Sequence, residues 1–134
     1  MNGIQKKLSA LEWEIMQVVW RLGGRPSVRD VWQQAYPNKE KAYTTVQTVM
    51  NNLEAKGYLT KEKIGLVNFY QPTRRREEMV GRETRHFVKK LFDGSAVSMV
   101  NYLIDSQTLN REEIDALKRI IEEKEKQFKG KNHD

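Results

Sequence analysis

Between Lys41 and Leu59 the chain reads Lys-Ala-Tyr-Thr-Thr-Val-Gln-Thr-Val-Met-Asn-Asn-Leu-Glu-Ala-Lys-Gly-Tyr-Leu. Val46, Val49, Met50 and Leu53 recur at i, i+3, i+4 and i+7, which puts them on one face of a helix. The opposite face carries Thr44, Thr48 and Asn51, flanked by Thr45, Gln47 and Asn52. A helix exposed only for solubility normally shows Lys and Glu there. Short donors and acceptors suit a surface that must approach another polar surface closely, such as base edges and phosphates in a DNA groove. A solvated face rich in Thr and Asn has the same composition, so the neighbouring segments have to decide.

Upstream, Met1 to Leu8 reads as a short basic arm containing Lys6 and Lys7. Ser9-Ala10-Leu11-Glu12 is a capping-box pattern that opens a helix. Leu11, Ile15, Val18, Val19 and Leu22 share one side of it, Trp13 and Trp20 edge the core, and Gly23-Gly24 closes it. Ser27 can cap a second helix from Val28 to about Ala35, with Val28, Val31 and Trp32 inward, and Pro37 opposes its continuation. Asn38 to Lys41 form a polar turn into the third helix, which ends at Gly57. The period then changes to two. Tyr58 to Lys63 reads as a strand, Ile64-Gly65-Leu66 as a turn, and Val67 to Gln71 as a returning strand stopped by Pro72. Lys61 and Lys63 share one face of that ribbon. Three short helices and a basic hairpin describe a winged helix-turn-helix.

From Arg74 onwards the pattern is helical again. One helix runs to about Phe92, marked by Met79, Phe87, Val88 and Leu91, and Asp93-Gly94 breaks it. Ser95 can cap a helix through Ile104 whose Val97, Val100, Tyr102, Leu103 and Ile104 exceed what one face requires. Asn110 to Glu113 make a second capping-box-like start. Ile114, Leu117, Ile121 and Phe128 then form a seam suited to another helix. Lys129 to Asp134 read as a frayed tail. The expected fold is mainly α with a small β-hairpin: a winged helix-turn-helix domain over residues 1–73, followed by a three-helix dimerisation region over 74–134.

Charge supports a polyanionic partner. The net charge is +6 and the isoelectric point near 9.5. Ten basic residues stand against six acidic ones up to Thr73, and fourteen against twelve beyond it, so the excess is mostly N-terminal. There is no cysteine, which removes disulfides, thiolate metal sites and cysteine nucleophiles and fits a cytoplasmic protein. No apolar run is long enough to insert into a membrane. His86 and His133 are the only histidines, and neither has a second ligand type at helical spacing. No phosphate-binding glycine loop is present either, because Gly23-Gly24 closes a helix. Nucleophile, base, metal and cofactor signatures are all missing, so neither an enzyme nor a cofactor is expected.

With these elements placed, the chain resembles the penicillinase-repressor (BlaI/MecI) family of bacterial transcription regulators. The residues carrying the likeness are Leu8 to Met16, Val19-Trp20, Val28 to Val31, Ala42 to Thr48, Leu53 to Leu59, Tyr70-Gln71-Pro72 and the Phe92-Asp93-Gly94-Ser95 break. The resemblance implies a homodimer whose winged-helix halves read a palindromic operator in double-stranded DNA, while the C-terminal helices of each chain interlock. It also implies repression of a β-lactamase or cell-wall resistance operon, relieved by a sensor-linked protease that cuts in the C-terminal region. The family's cleavable Asn-Phe bond corresponds to Tyr102-Leu103, and the nearest Asn-aromatic pair is Asn101-Tyr102. The copper-sensing branch needs cysteines that this chain lacks. Where the family often carries Arg after the wing glycine, this chain has Leu66.

The resulting expectations are specific. Thr44, Thr45, Gln47, Thr48 and Asn51 contact bases and phosphates, and Lys61 and Lys63 the flanking backbone. Val97, Val100, Leu103, Ile114, Leu117 and Ile121 hold the dimer, and Asn101, Tyr102 and Leu103 mark the cleavage region. The rival reading is a winged-helix module whose basic face docks an acidic protein. The salt dependence of binding separates the two, since duplex DNA releases counterions on binding.

Overall fold

The computed structural model describes residues 7–132 and divides the chain into two compact units, the first ending at Gly81 and the second beginning at Arg82. In the first unit the order is α1 (Ala10–Leu22), α2 (Val28–Ala35), α3 (Tyr43–Ala55), β1 (Leu59–Ile64) and β2 (Val67–Pro72), completed by the start of α4 (Arg76–Phe92). The second holds the rest of α4 with α5 (Ala96–Asp105) and α6 (Arg111–Asn132). Mainly helical with one hairpin, this is the architecture expected of a winged helix. Among the described residues no helix is long and apolar enough to cross a membrane.

Capping chemistry fixes where the first two helices begin. The Ser9 hydroxyl accepts from the Glu12 N–H at 3.1 Å and the Glu12 carboxylate accepts from the Ser9 N–H at 2.8 Å. Ser27 and Asp30 repeat this exchange at the head of α2. Each exchange satisfies orphan donors of a first turn. The Glu12 carboxylate has a second task. It accepts from Lys56 Nζ at 2.7 Å, joining the start of α1 to the end of α3, and the same ammonium donates to the Lys7 carbonyl. An acid in a first turn and a base at a C-cap both complement their helix dipoles. Burial pushes the Glu12 carboxyl up, but hydrogen bonds from Lys56 and the Ser9 backbone outweigh it and hold the carboxyl below its usual value.

The core gathers Ile15, Met16 and Val19 of α1, Val31 of α2, Val46, Met50 and Leu53 of α3, and Leu59 and Tyr70 of the hairpin. Leu8, placed in the basic arm by sequence, is buried in this core, and Lys6 lies outside the described residues. Met79 also joins the core. The first turn of α4 therefore belongs with the first unit, and the units part after Gly81, beyond the sequence-based division at residue 73. Trp13 and Trp20 edge the core as expected, whereas Trp32, expected to point inward with Val28 and Val31, is only partly buried at its edge. The Tyr36 hydroxyl donates to the Glu14 carboxylate. Burial, and then the Glu14 charge, push that phenol far above its ordinary range.

The hairpin turns one residue later than the sequence pattern places it. Ile64 pairs with Val67, leaving Gly65 and Leu66 as a two-residue loop. Gly65 has φ 66°, and Leu66 is not among the positive-φ residues. Only glycine occupies that first loop position without strain, as two-residue hairpins require. A two-stranded ribbon is marginal alone. Here Phe69 bridges to Ser27, and the Tyr70 N–H donates to the Pro26 carbonyl at 2.9 Å, so β2 is stitched to the α1–α2 connection. The Arg25–Glu62 pair at 2.6 Å adds little, because both side chains are more than half exposed.

Within the second unit, Ser95 caps α5, and Asn110 exchanges hydrogen bonds with Glu113 at the start of α6. Phe92 contacts Phe87 and Tyr102 with ring centroids 6.2 and 6.1 Å apart. The tail expected to fray from Lys129 instead continues α6 to Asn132. His133 and Asp134 lie outside the described residues.

Candidate nucleic-acid interface

α3 buries Val46, Val49, Met50 and Leu53, the four residues its apolar spacing selects. The rotation that hides them leaves Thr44, Gln47, Thr48, Asn51 and Asn52 exposed, and Thr45 half-buried on the flank. The helix ends in a double closure: the Tyr58 N–H donates to the Leu53 carbonyl and the Gly57 N–H to the Glu54 carbonyl. Gly57 sits at φ 88°, the left-handed position this closure demands. The chain is thereby turned straight into β1, which sets the hairpin beside the exposed face of α3.

Asn51 marks that junction. Its Oδ1 accepts from the Tyr70 hydroxyl at 2.9 Å and from Lys61 Nζ at 3.5 Å. Lys61 stands opposite Tyr70 in the ladder and Lys63 opposite Asn68, so both lysines share the sheet face that meets α3. Both are exposed. Burial first, then the negative charge of Glu54 and the nearby Tyr43, raise the Tyr70 pKa above its ordinary value, so its hydroxyl stays a donor. With Oδ1 already engaged, Asn51 has only its amide N–H groups to offer. A paired acceptor-and-donor contact to an adenine edge needs both atoms.

One feature at the head of α3 escapes the sequence reading. α1 and α2 are capped by Ser, whereas the α3 cap is Ala42, with no side-chain hydrogen bond. Ala42 accepts through its carbonyl from the Thr45 and Val46 N–H groups. The N–H groups of Tyr43 and Thr44 are left as orphans of a first turn, the positive end of the helix dipole. Such a terminus suits a phosphate. The signal was legible: a helix start with no Ser, Thr, Asp or Asn at its cap. Trp32 supports this end, donating from Nε1 to the Lys41 carbonyl at 2.8 Å and meeting the Tyr43 ring edge-on at 5.8 Å.

The other sequence-selected residues lie in the second unit. Val97 is 80% exposed, and Ile121 is also exposed. Val100, Leu103, Ile114 and Leu117 are half-buried. Asn101, Tyr102 and Leu103 sit inside α5, the first two exposed. Among the described residues no group of three or more His, Asp or Glu side chains could hold a metal ion.

The sequence profile described as Penicillinase repressor matches residues 8–123, both units of the fold. The chain belongs to the penicillinase-repressor family. Members of this family are transcriptional repressors, not enzymes. The chain is 22% identical over 124 residues to the methicillin resistance regulatory protein MecI of Staphylococcus aureus strain N315, covering 92% of this chain and all of the relative. It is 25% identical over 123 residues to a penicillinase repressor of Staphylococcus aureus, covering 90% of this chain and 95% of the relative. Against a penicillinase repressor of Bacillus licheniformis the identity is 27% over 117 residues, covering 87% and 91%.

Proposed function

We propose that the chain acts as a homodimeric, sequence-specific repressor that places α3 in the major groove of a palindromic operator. The observation that carries this reading is the exposed, uncharged face of Thr44, Gln47 and Thr48, bordered by Lys61 and Lys63 on a ribbon fastened to Asn51. Thr48 and Gln47 read base edges, Thr44 and Thr45 approach the backbone beside the open first turn, and Lys61 and Lys63 neutralise flanking phosphates. Asn51 fixes the wing and adds amide donors. Threonine and glutamine make fewer strong bidentate base contacts than arginine. Selectivity therefore depends on two half-sites read at once.

The second unit supports dimerisation through a second copy of this chain. Beyond Gly81, Val88 is the one apolar side chain among the described residues that is buried, and α5 buries none. Phe87, Leu91, Val97, Tyr102, Ile120, Ile121 and Phe128 are all exposed. Three helices with so little core of their own need a partner to cover them. Names borne by the relatives extend the reading to a penicillinase or methicillin-resistance operon. Relief of repression by a sensor-linked protease near Asn101, Tyr102 and Leu103 requires α5 to unwind first, since a protease takes an extended backbone. An apolar helix with no buried residue opens locally at low cost.

Selection of bound duplexes from random DNA tests the proposal. A recovered inverted repeat is the expected result. Recovery of no consensus, together with binding whose salt dependence is flat, would sink it in favour of a protein-docking module.

A further inference from the structure

An open groove of about 680 Å³ lies in the first unit, where the end of α1 meets the segment joining β2 to α4. Trp20, Arg21, Arg74, Arg75, Arg76 and Glu77 line it, so four guanidinium groups stand against one carboxylate. None of these residues belongs to the surface assigned to DNA above. The arginine run is fastened to α1 at two points: Trp20 Nε1 donates to the Arg74 carbonyl at 3.0 Å, and Arg76 Nε donates to Gln17 Oε1 at 2.8 Å. Arg74 also reaches Glu78 at 3.6 Å.

The remaining positive charge is not neutralised from within. Among the described residues the ion pairs engage Arg25, Lys56, Arg74 and Arg111, leaving Arg21 and Arg75, both exposed, without a carboxylate partner. The Met79 N–H donates to the Arg75 carbonyl, so Arg75 occupies the capping position of α4. A guanidinium has five donors and no acceptor, so the Arg75 side chain cannot satisfy the first-turn N–H groups. The groove thus combines clustered guanidinium groups with a helix start that the side chain at its N-cap, Arg75, leaves without an acceptor, held in place by two tertiary hydrogen bonds. Like charges crowded in this way repel unless an anion sits among them.

We propose that this groove binds a small molecule carrying two or more phosphate groups. One planar carboxylate is saturated by a single guanidinium fork. Several guanidinium groups lining one groove beside a helix N-terminus match the larger number of acceptor oxygens, spread over tetrahedral centres, that linked phosphates present. The site is independent of the DNA reading, so either can fail without the other.

Calorimetric titration of the full chain with inorganic pyrophosphate tests it. The expected result is saturable binding at one site per chain, with a shifted Trp20 indole N–H resonance in NMR spectra of the complex. Arg21→Ala combined with Arg75→Ala lowers the affinity by about tenfold or more. Arg29→Ala, which removes an exposed basic residue of α2 outside the groove, leaves it unchanged. Should the double variant fail to fold, the single Arg75→Gln carries the same expectation at about threefold, read on the same indole resonance. Absence of saturable binding overturns the proposal, as does equal weakening by Arg29→Ala, which marks a diffuse charge effect. If pyrophosphate does not bind and the double variant instead loses duplex affinity with a reduced salt slope, the groove is a DNA-backbone contact and the proposal is wrong.

Discussion

The Tyr70 hydroxyl donates to Asn51 Oδ1 across 2.9 Å, tying the buried centre of β2 to the outer face of α3. Tyr70 is 1% exposed and Asn51 is exposed, so one hydrogen bond spans from core to candidate DNA surface. Tyr70→Phe keeps the ring and removes only this bond. Urea denaturation should show a loss of about 1 kcal/mol. Duplex affinity should fall to a similar extent on operator and random DNA, because the wing loses its register on α3 and no base contact is removed. A loss confined to the operator would show that the bond serves base reading.

Thr48→Ala separates reading from anchoring on α3. The operator complex should weaken by about 1–3 kcal/mol if the hydroxyl or methyl meets a base edge. Random duplexes should be much less affected. Equal loss on both in a gel-shift titration would make Thr48 a backbone contact.

Lys61→Ala and Lys63→Ala should each reduce the slope of log affinity against log salt by about one unit, on every duplex alike. Lys61→Ala also removes the ammonium near Asn51 Oδ1, so its effect should exceed that of Lys63→Ala. Unchanged slopes in both would place the ribbon away from DNA. Leu66, 95% exposed at the loop, would then be the residue to explain.

Lys56→Met leaves the Glu12 carboxylate without its ammonium at a site where the acid is only 5% exposed. The expected loss is about 1–3 kcal/mol at neutral pH, discounted from a fully buried pair because the Lys56 side chain is 25% exposed. The folded-state pKa of Glu12 is depressed, so its contribution is complete above the ordinary value of 4.5 and is lost as pH falls through the lower folded-state value. The stability gap between the parent and Lys56→Met, measured by urea melts, should therefore narrow below about pH 4.5. A gap constant down to pH 2 would mean that Lys56 acts through its contact with the Lys7 carbonyl.

Leu117→Asp tests whether the second unit is completed by another copy. A charge placed at a covered seam costs several kcal/mol. Sedimentation should show a monomer that keeps the fold of the first unit. Operator affinity should drop by roughly 10²–10⁴-fold, the advantage lost when the second half-site contact is no longer intramolecular. A dimer with normal operator affinity would give the α6 seam another role.

Sequence alone determined most of what a single element or a short loop decides, apart from a hairpin turn placed one residue early and a tail that continues α6. Ser9 with Glu12, Ser27 with Asp30 and Asn110 with Glu113 mark helix starts, because a capping side chain reaches only about one turn. Val46, Val49, Met50 and Leu53 fix which side of α3 is buried, and that in turn leaves Thr44, Gln47 and Thr48 outward. Gly65 fixes the hairpin loop, since only it takes the required φ without strain. Tertiary structure decided what depends on partners distant in the chain. Nothing local tells that Lys56 closes on Glu12, that Leu8 and Met79 complete the first core, or that Tyr70 and Lys61 occupy the Asn51 oxygen. These are side-chain meetings across many residues, set by how helices and hairpin pack rather than by any periodicity. The second unit shows the same division: its apolar excess is written in the sequence, but only the fold reveals that one chain leaves Val97, Tyr102 and Ile121 uncovered, because burial is a property of the surroundings and not of the residue.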